Sequence, residues 1–314
     1  MQVTPATTVA YLGPPGTFTE EALLGQADLA RARHLPLASF RDVLDAVGLG
    51  QAELGLVAIE NSIEGTVNVS LDALIFGHDL WIVRELQLSV TQCLVGCPGA
   101  RYESVKRLIS MPVATAQCRA WLAGNLDGAD EEPSPSTADA VKRVAEARDP
   151  RVAAIGTRHA ARLYGLEVLA SGIEDHDGNV TRFALVARPE WGVPGPTGHD
   201  KTSIVCFQAS DRPGSLHTIL GQFAARNLNL TKLESRPTKK ALGEYCFVID
   251  IDGHLADEVV ADCLRDLHAT LPVVKFLGSY PAGGADGEQR RKAATDAWLA
   301  ADSWLQGLRS HLEG

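Results

Sequence analysis

Residues 189–199, PEWGVPGPTGH, carry three prolines and three glycines, and neither a helix interior nor a central strand tolerates that density of both. The segment reads as a linker. It cuts the 314-residue chain into two parts, each of which must build its own core. The pattern of apolar residues differs on its two sides. Upstream, short apolar runs alternate with helical spacings; downstream, strand and helix signals follow in the order βαββαβ.

In the upstream part, residues 8–12 read as a strand closed by the turn-forming run of Gly13, Pro14, Pro15 and Gly16. A helix follows, with Thr17 or Thr19 as its N-cap and Glu20 and Glu21 in its first turn. The spacing of Phe40, Val43, Leu44, Val47 and Leu49 predicts a second helix. Residues 54–59 form a continuous apolar run of the kind found in buried parallel strands, and it stops at Glu60, Asn61 and Ser62. Residues 67–76 read as helical, and 80–95 hold strand material long enough to cross between two lobes. Helices are expected at 116–126 and 137–147, and strands at 152–155 and 180–187. A chain that leaves one α/β lobe, builds another and returns predicts a ligand cleft between them.

Downstream, strands at 202–209, 228–235, 244–251 and 273–279 and helices at 213–226 and 255–268 make a split-βαβ, ferredoxin-like unit. In the tail, Trp298, Ala301, Leu305, Leu308 and Leu312 fall at spacings of three and four, with Trp304 widening the stripe. That pattern predicts an amphipathic helix covering its own domains or a partner subunit.

Composition excludes several classes. A formal net charge of -10 argues against a nucleic-acid partner, which needs a concentrated basic face. No apolar run approaches a membrane span, and the first residues lack a secretory pattern, so a cytoplasmic chain with no membrane partner is expected. The six cysteines form no CxxC pair and read as buried thiols in a reducing compartment. The histidines lack metal-ligand spacing, so no metal is expected. There is no P-loop lysine and no dinucleotide-binding glycine run after the first strand.

The candidate chemistry lies at element ends. Residues 60–65, ENSIEG, offer amide and hydroxyl donors from Asn61 and Ser62, followed by a flexible Gly65 and a helix start suited to a carboxylate. Thr181, Arg182 and Phe183 open a later strand. Arg182 suits a substrate carboxylate or a structural salt bridge equally. Thr181 has no neighbouring base to make it a nucleophile, and its hydroxyl is better suited to hydrogen-bonding a departing oxygen. Ser110 and Gln117 flank a strand-to-helix junction in the second lobe. In the downstream unit, residues 211–216 (DRPGSL) end a strand and start a helix. Gly214, Ser215 and Leu216 there, with Asn229, Glu234 and Ser235 beside the next strand, are candidates to hold a zwitterionic amino acid. Each segment alone also fits an ordinary capped helix or turn.

Taken together, residues 11–19 (YLGPPGTFT), 60–65 (ENSIEG), 181–183 (TRF) and 211–216 with 234–237 (ESRP) resemble the prephenate dehydratase family, in order and over essentially the whole chain. The likeness is to the stand-alone, actinobacterial-like form without a fused mutase. The resemblance implies an α/β, two-lobed, type-II periplasmic-binding-protein-like catalytic domain over 1–190. It further implies a ferredoxin-like ACT regulatory domain over 201–281, with the tail helix over 286–314. The implied reaction turns prephenate into phenylpyruvate, carbon dioxide and water without a cofactor. By the same analogy Thr181 is catalytic, Asn61, Ser62, Ser110, Gln117, Arg182 and Phe183 bind substrate, and L-phenylalanine binds the ACT domain of a homodimer or homotetramer. Two positions depart from the family pattern. Residues 110–115 read SMPVAT where many relatives have SHPQAL, and His217 stands where many have Val. Arogenate dehydration, or a non-catalytic amino-acid sensor, are the alternative readings.

Overall fold

A computed structural model describes residues 2–126, 128–208, 212–239, 244–283 and 303–309. These residues fall into two compact units, one made of Gln2–Ala73 and Leu86–Val186, the other of Leu74–Glu85 and residues from Ala187 onward.

The first unit opens with strand β1 (Thr8–Leu12), helix α1 (Phe18–Leu24), strand β2 (Arg33–Leu37), helix α2 (Phe40–Gly48) and strand β3 (Leu54–Asn61). Strand β4 (Gly65–Thr66) and helix α3 (Asn68–Asp72) follow, then strand β5 (Trp81–Ser89), inside which the boundary between the units falls. The helices start where short polar side chains cap them. The Thr17 hydroxyl accepts from the Glu20 N–H at the start of α1, and the Ser39 hydroxyl from the Asp42 N–H at the start of α2. Val43, Leu44, Ala46 and Val47 give α2 a fully buried face.

The chain then builds a second lobe. It comprises β6 (Cys93–Gly96), β7 (Arg107–Ser110), α4 (Pro112–Gln117), α5 (Arg119–Asn125), β8 (Asp130–Pro133), α6 (Thr137–Ala147), β9 (Val152–Gly156), α7 (Arg158–Leu163) and β10 (Glu167–Ser171). It returns through β11 (Val180–Ala187). The first sheet runs β2-β1-β3-β11-β5 with β4 on β3; the second runs β10-β6-β9-β7-β8. The two crossover segments touch, as the Val90 N–H donates to the Asn179 carbonyl at 2.7 Å. The two sheets, each flanked by helices, make two α/β lobes joined by the crossover segments.

One local expectation fails. Residues 116–126 are not one helix: α4 ends at Gln117 and α5 begins at Arg119, with Cys118 off helical geometry between them. The Asp175 carboxylate accepts the Ala120 N–H at 3.0 Å and so caps a new helix start. The helix expected over 67–76 is present, as α3 from Asn68 continued by a π-helical turn over Ala73–Gly77.

The second unit contains β12 (Asp200–Phe207), α8 (Ser215–Ala224), β13 (Leu230–Pro237), β14 (Tyr245–Asp252), α9 (Glu258–Thr270) and β15 (Val273–Pro281). Its antiparallel sheet runs β13-β14-β12-β15, the ferredoxin-like arrangement. Ile204, Cys206, Phe247, Ile249 and Ile251 face Ile219, Phe223, Cys263 and Leu267 of the helices. The segment Leu74–Glu85 packs against the same strands. Lys275 Nζ donates to the carbonyls of Leu74, Ile75 and His78 at 2.7, 3.0 and 2.7 Å, and Trp81 meets Phe276 edge-on. Glu85 is buried with both oxygens 3.1 Å from Lys201 Nζ. Residues 303–309 are helical with Trp304, Leu305 and Leu308 exposed; Trp298, Ala301 and Leu312 lie outside the described residues. Among the described residues no helix is long and apolar enough to cross a membrane.

Candidate active site

The end of β3 lies beside the start of β11, and this places Asn61 against Thr181. The Asn61 amide is oriented without ambiguity. Its Oδ1 accepts the backbone N–H groups of Ile63 and Glu64, both at 3.0 Å, so its Nδ2 is left to donate to Thr181 Oγ1 at 3.0 Å and to Asn179 Oδ1 at 2.6 Å. A hydroxyl that accepts in this way keeps its own O–H to give. Among the described residues, the Thr181 O–H donates to no protein acceptor.

From Asn61 the hydrogen bonds run around a ring that joins the lobes. Asn61 donates to Asn179, and Asn179 Nδ2 to Gln117 Oε1 at 3.5 Å. Gln117 Nε2 donates to Glu64 Oε1 at 3.1 Å, and the Glu64 N–H returns to Asn61. Gln117 stands at the end of α4 in the second lobe, while Asn61 and Glu64 belong to the first. Gln92, in the crossover after β5, donates from Nε2 to the same Gln117 oxygen at 3.3 Å. The ring is a row of neutral amide donors with one carboxylate, a surface able to receive an anion's oxygens.

Other sequence candidates sit elsewhere. Ser62 clamps the returning chain, accepting the Val180 N–H at 2.9 Å and donating to the Gly178 carbonyl at 3.4 Å. Ser110 is buried at the end of β7, its hydroxyl 3.2 Å from the Met111 carbonyl. Strand alternation turns Arg182 away from Thr181, and its guanidinium meets Glu60 of β3 at 3.1 Å. Phe183 is buried in the first lobe. Asn179, Gln92 and Glu64 were not singled out from the sequence. Their signal was weak: Asn179 stands two residues before Thr181, and Glu64 within ENSIEG.

A second polar cluster also joins the lobes. Glu20 of α1 accepts from Tyr11 Oη at 2.8 Å and from the Gly16 N–H at 2.5 Å, and it meets His159 Nε2 of α7 at 2.8 Å. The Thr157 hydroxyl donates to the Gly16 carbonyl at 3.0 Å, and Tyr164 to the Pro15 carbonyl at 3.1 Å. Gly16 is at φ +99°, and a Cβ there would lie 3.0 Å from the Ala160 Cβ, so glycine permits the loop to sit on α7. Burial pushes the Glu20 carboxyl up, but hydrogen bonds from His159, Gly16 and Tyr11 outweigh it and the net shift is downward. The Glu20 hydrogen bond holds His159 above its ordinary range, and burial with the same contact raises Tyr11.

In the second unit Gly214, at φ +84°, leads into α8 beside a cavity of about 450 Å³. Arg212, Ser215, His217, Thr218 and Gln222 give it polar walls, and Leu271 an apolar one. Ser215 Oγ donates to Gln208 Oε1 at 2.9 Å, and Leu216 packs into the helix-face core. Asn229, Glu234 and Ser235 are not on this cavity within one chain. Asn229 donates to Asp252 at 2.7 Å, Glu234 meets Lys232 and Arg236 at 3.2 and 3.3 Å, and Ser235 is exposed on edge strand β13. Asp211 lies outside the described residues.

A family model described as prephenate dehydratase matches residues 9–190, and an ACT-domain model matches 202–269. A curated prephenate dehydratase of Mycobacterium marinum is 41% identical over 313 residues, covering 96% of this chain and 95% of the relative. The chain belongs to the prephenate dehydratase family. Among solved structures, the prephenate dehydratase of Arthrobacter aurescens in complex with L-Phe is 41% identical with a TM-score of 0.83, over 98% of this chain and 100% of that one. The quorum-quenching acylase GqqA is 32% identical with a TM-score of 0.78, over 88% and 98%. The prephenate dehydratase match takes in Asn61, Gln117 and Thr181, and the ACT match takes in Gly214 and the polar walls of its cavity.

Proposed function

We propose that this chain runs the family reaction, prephenate to phenylpyruvate, carbon dioxide and water, in the cleft at Thr181. L-phenylalanine would act as effector at its ACT domain. The observation that carries the reading is the Asn61–Thr181 contact, which engages a lone pair of the Thr181 oxygen and leaves the O–H to donate.

Breaking the bond to the ring carboxylate releases carbon dioxide, and its electron pair moves through the ring as the 4-hydroxyl departs. Aromatisation supplies the driving force, so the site must orient the substrate and ease hydroxide away. The Thr181 O–H hydrogen-bonds the leaving oxygen, which departs as hydroxide and takes the proton that makes it water from solvent. An aliphatic hydroxyl is a weak acid, so a preoriented hydrogen bond contributes more than full proton transfer. The amide N–H groups of Gln117 and its neighbours suit the carboxylates of a dianionic substrate. The residues present need no redox or carbanion-stabilising group for these steps.

The likeness to an acylase raises amide hydrolysis as a second reading. The hydroxyl of Thr181 meets the Asn61 amide rather than a base, which favours dehydration over nucleophilic attack. Glu64 is an acidic group on the ring that an aminated substrate's ammonium would find, so arogenate is the second substrate to try. For the effector, the Gly214 cavity and the strand residues Asn229, Glu234 and Ser235 lie apart in one chain, and two ACT units side by side would bring both sets to one ligand. The active species is then at least a dimer, and the working compartment the cytoplasm. The test is phenylpyruvate formation from prephenate with and without L-phenylalanine. Turnover that responds to L-phenylalanine supports both halves; binding of L-phenylalanine without turnover of prephenate or arogenate would leave a sensor.

A further inference from the structure

Gln92 lies in the crossover that carries the chain from the first lobe to the second, and it is 3% exposed. Its backbone is fixed from several sides. The N–H donates to Glu174 Oε2 at 2.9 Å, and the carbonyl accepts from Gly172 and Ile173 at 3.0 and 3.2 Å. The side chain is different. Nε2 reaches Gln117 Oε1, while the buried Oε1 has no hydrogen-bond partner in the protein. An amide half-satisfied in the interior costs stability, and an aliphatic side chain of the same size would avoid that cost. A residue that spends stability on a single donor points to a use for that donor.

We propose that Gln92 is a positioning residue for the reaction, setting the orientation in which Gln117 meets the substrate. The inference rests on the reaction assigned above. Gln117 Oε1 receives two donors, Gln92 Nε2 and Asn179 Nδ2, and a carbonyl oxygen has two lone pairs. With its oxygen held, Gln117 turns its NH2 group toward the first lobe, where the Glu64 carboxylate accepts it. Glu64 there marks the place a substrate carboxylate takes. A Gln117 free to turn over would present its oxygen to that anion instead, replacing attraction by repulsion. Gln92 is thus required for affinity toward the anionic substrate, while Thr181 serves the leaving group.

The test is a kinetic and thermal comparison of the full-length wild type with Gln92→Leu, Gln92→His and Gln117→Leu, using prephenate. Gln92→Leu is expected to raise KM about ten- to hundredfold, the range for a hydrogen bond to a charged group, with kcat held within about threefold and Tm unchanged or higher. Gln92→His, whose ring N–H reaches a similar distance, recovers most of the affinity. Adding Gln92→Leu to Gln117→Leu raises KM no further, because both act through one contact. A Gln92→Leu enzyme with wild-type KM overturns the proposal, as do KM effects that multiply in the double variant. A fall in Tm with kcat and KM both impaired, and no recovery with histidine, assigns Gln92 to the scaffold and also overturns it. If wild type turns over prephenate and Gln92→Leu matches it, this proposal alone fails. Silence of the wild type defeats the reaction assignment itself, and this inference with it.

Discussion

The side-chain amide of Asn61 donates to the hydroxyl of Thr181 across 3.0 Å, between residues 120 positions apart in the chain. Because Asn61 Oδ1 is tied to two backbone N–H groups, the amide cannot turn over without losing both. Thr181→Val keeps the shape and removes the O–H. It should lower kcat for prephenate about hundred- to thousandfold, as loss of one preorganised donor does, with a smaller change in KM. Thr181→Ser should retain much of the rate. Steady-state kinetics decide, and a valine variant turning over at wild-type rate would remove Thr181 from the chemistry.

The Glu20–His159 contact gives the two lobes a pH-dependent tie. Glu20 is lowered in the folded state, so its contribution is present above its ordinary value of 4.5 and is lost as pH falls through the lowered value. His159 is raised, so its contribution is full below its ordinary value of 6.5 and is lost as pH rises through the raised one. The tie is strongest between those ordinary values. Thermal melts from pH 4 to 9 should show the stability gap between wild type and His159→Gln narrowing above pH 6.5. A gap that stays constant, or widens on the alkaline side, would contradict the pairing.

Lys201 and Glu85 form an ion pair whose carboxylate is 1% exposed in its side chain. Lys201→Met removes the ammonium from a carboxylate that stays buried, which costs about 3 kcal/mol or more. Denaturant unfolding should record that loss. Combining it with Glu85→Leu should return part of it, whereas an additive double variant would mean that the pair contributes as two independent groups.

Gly278 of β15 is at φ +142°, and a Cβ there would lie 2.3 Å from the Ile82 carbonyl oxygen and 2.8 Å from the Ile82 nitrogen. Backbone cannot swing aside as a side-chain tip does. Gly278→Ala should therefore cut the yield of folded protein or lower Tm by several degrees, with the size of the drop read by calorimetry.

Much of this architecture is written locally. The buried run of β3, the amphipathic face of α2 and the βαββαβ order after the linker follow from spacing and turn residues in the sequence. What escapes local reading is set by distant partners. Strand β2 carries Arg33, His34 and Pro36, and its Leu35 and Leu37 are too short an alternation to mark a strand, yet it pairs with β1 at the sheet edge, where proline is tolerated. The break at Cys118 is made by Asp175, 55 residues from the N–H it caps. In the site, Asn61, Gln117 and Thr181 were legible as polar residues at element ends. Gln92 and Asn179 were not, since their meaning lies in which atom of Gln117 they occupy. Arg182 suits two uses from sequence, and strand alternation explains why it meets Glu60.

The twelve residues Leu74–Glu85 sit early in the chain but pack with what comes after Ala187. Lys275 holds their carbonyls, Phe276 their tryptophan and Lys201 their carboxylate. A nuclease cut in the gene or a protease cut in the linker that discarded everything beyond residue 199 would not release a tidy catalytic fragment. It would strip the covering from Trp81 and Ile82 and leave Glu85 without its lysine. Inheritance of the two halves is therefore tied: neither could be lost or exchanged by simple recombination at the linker without rewriting a segment far upstream of it.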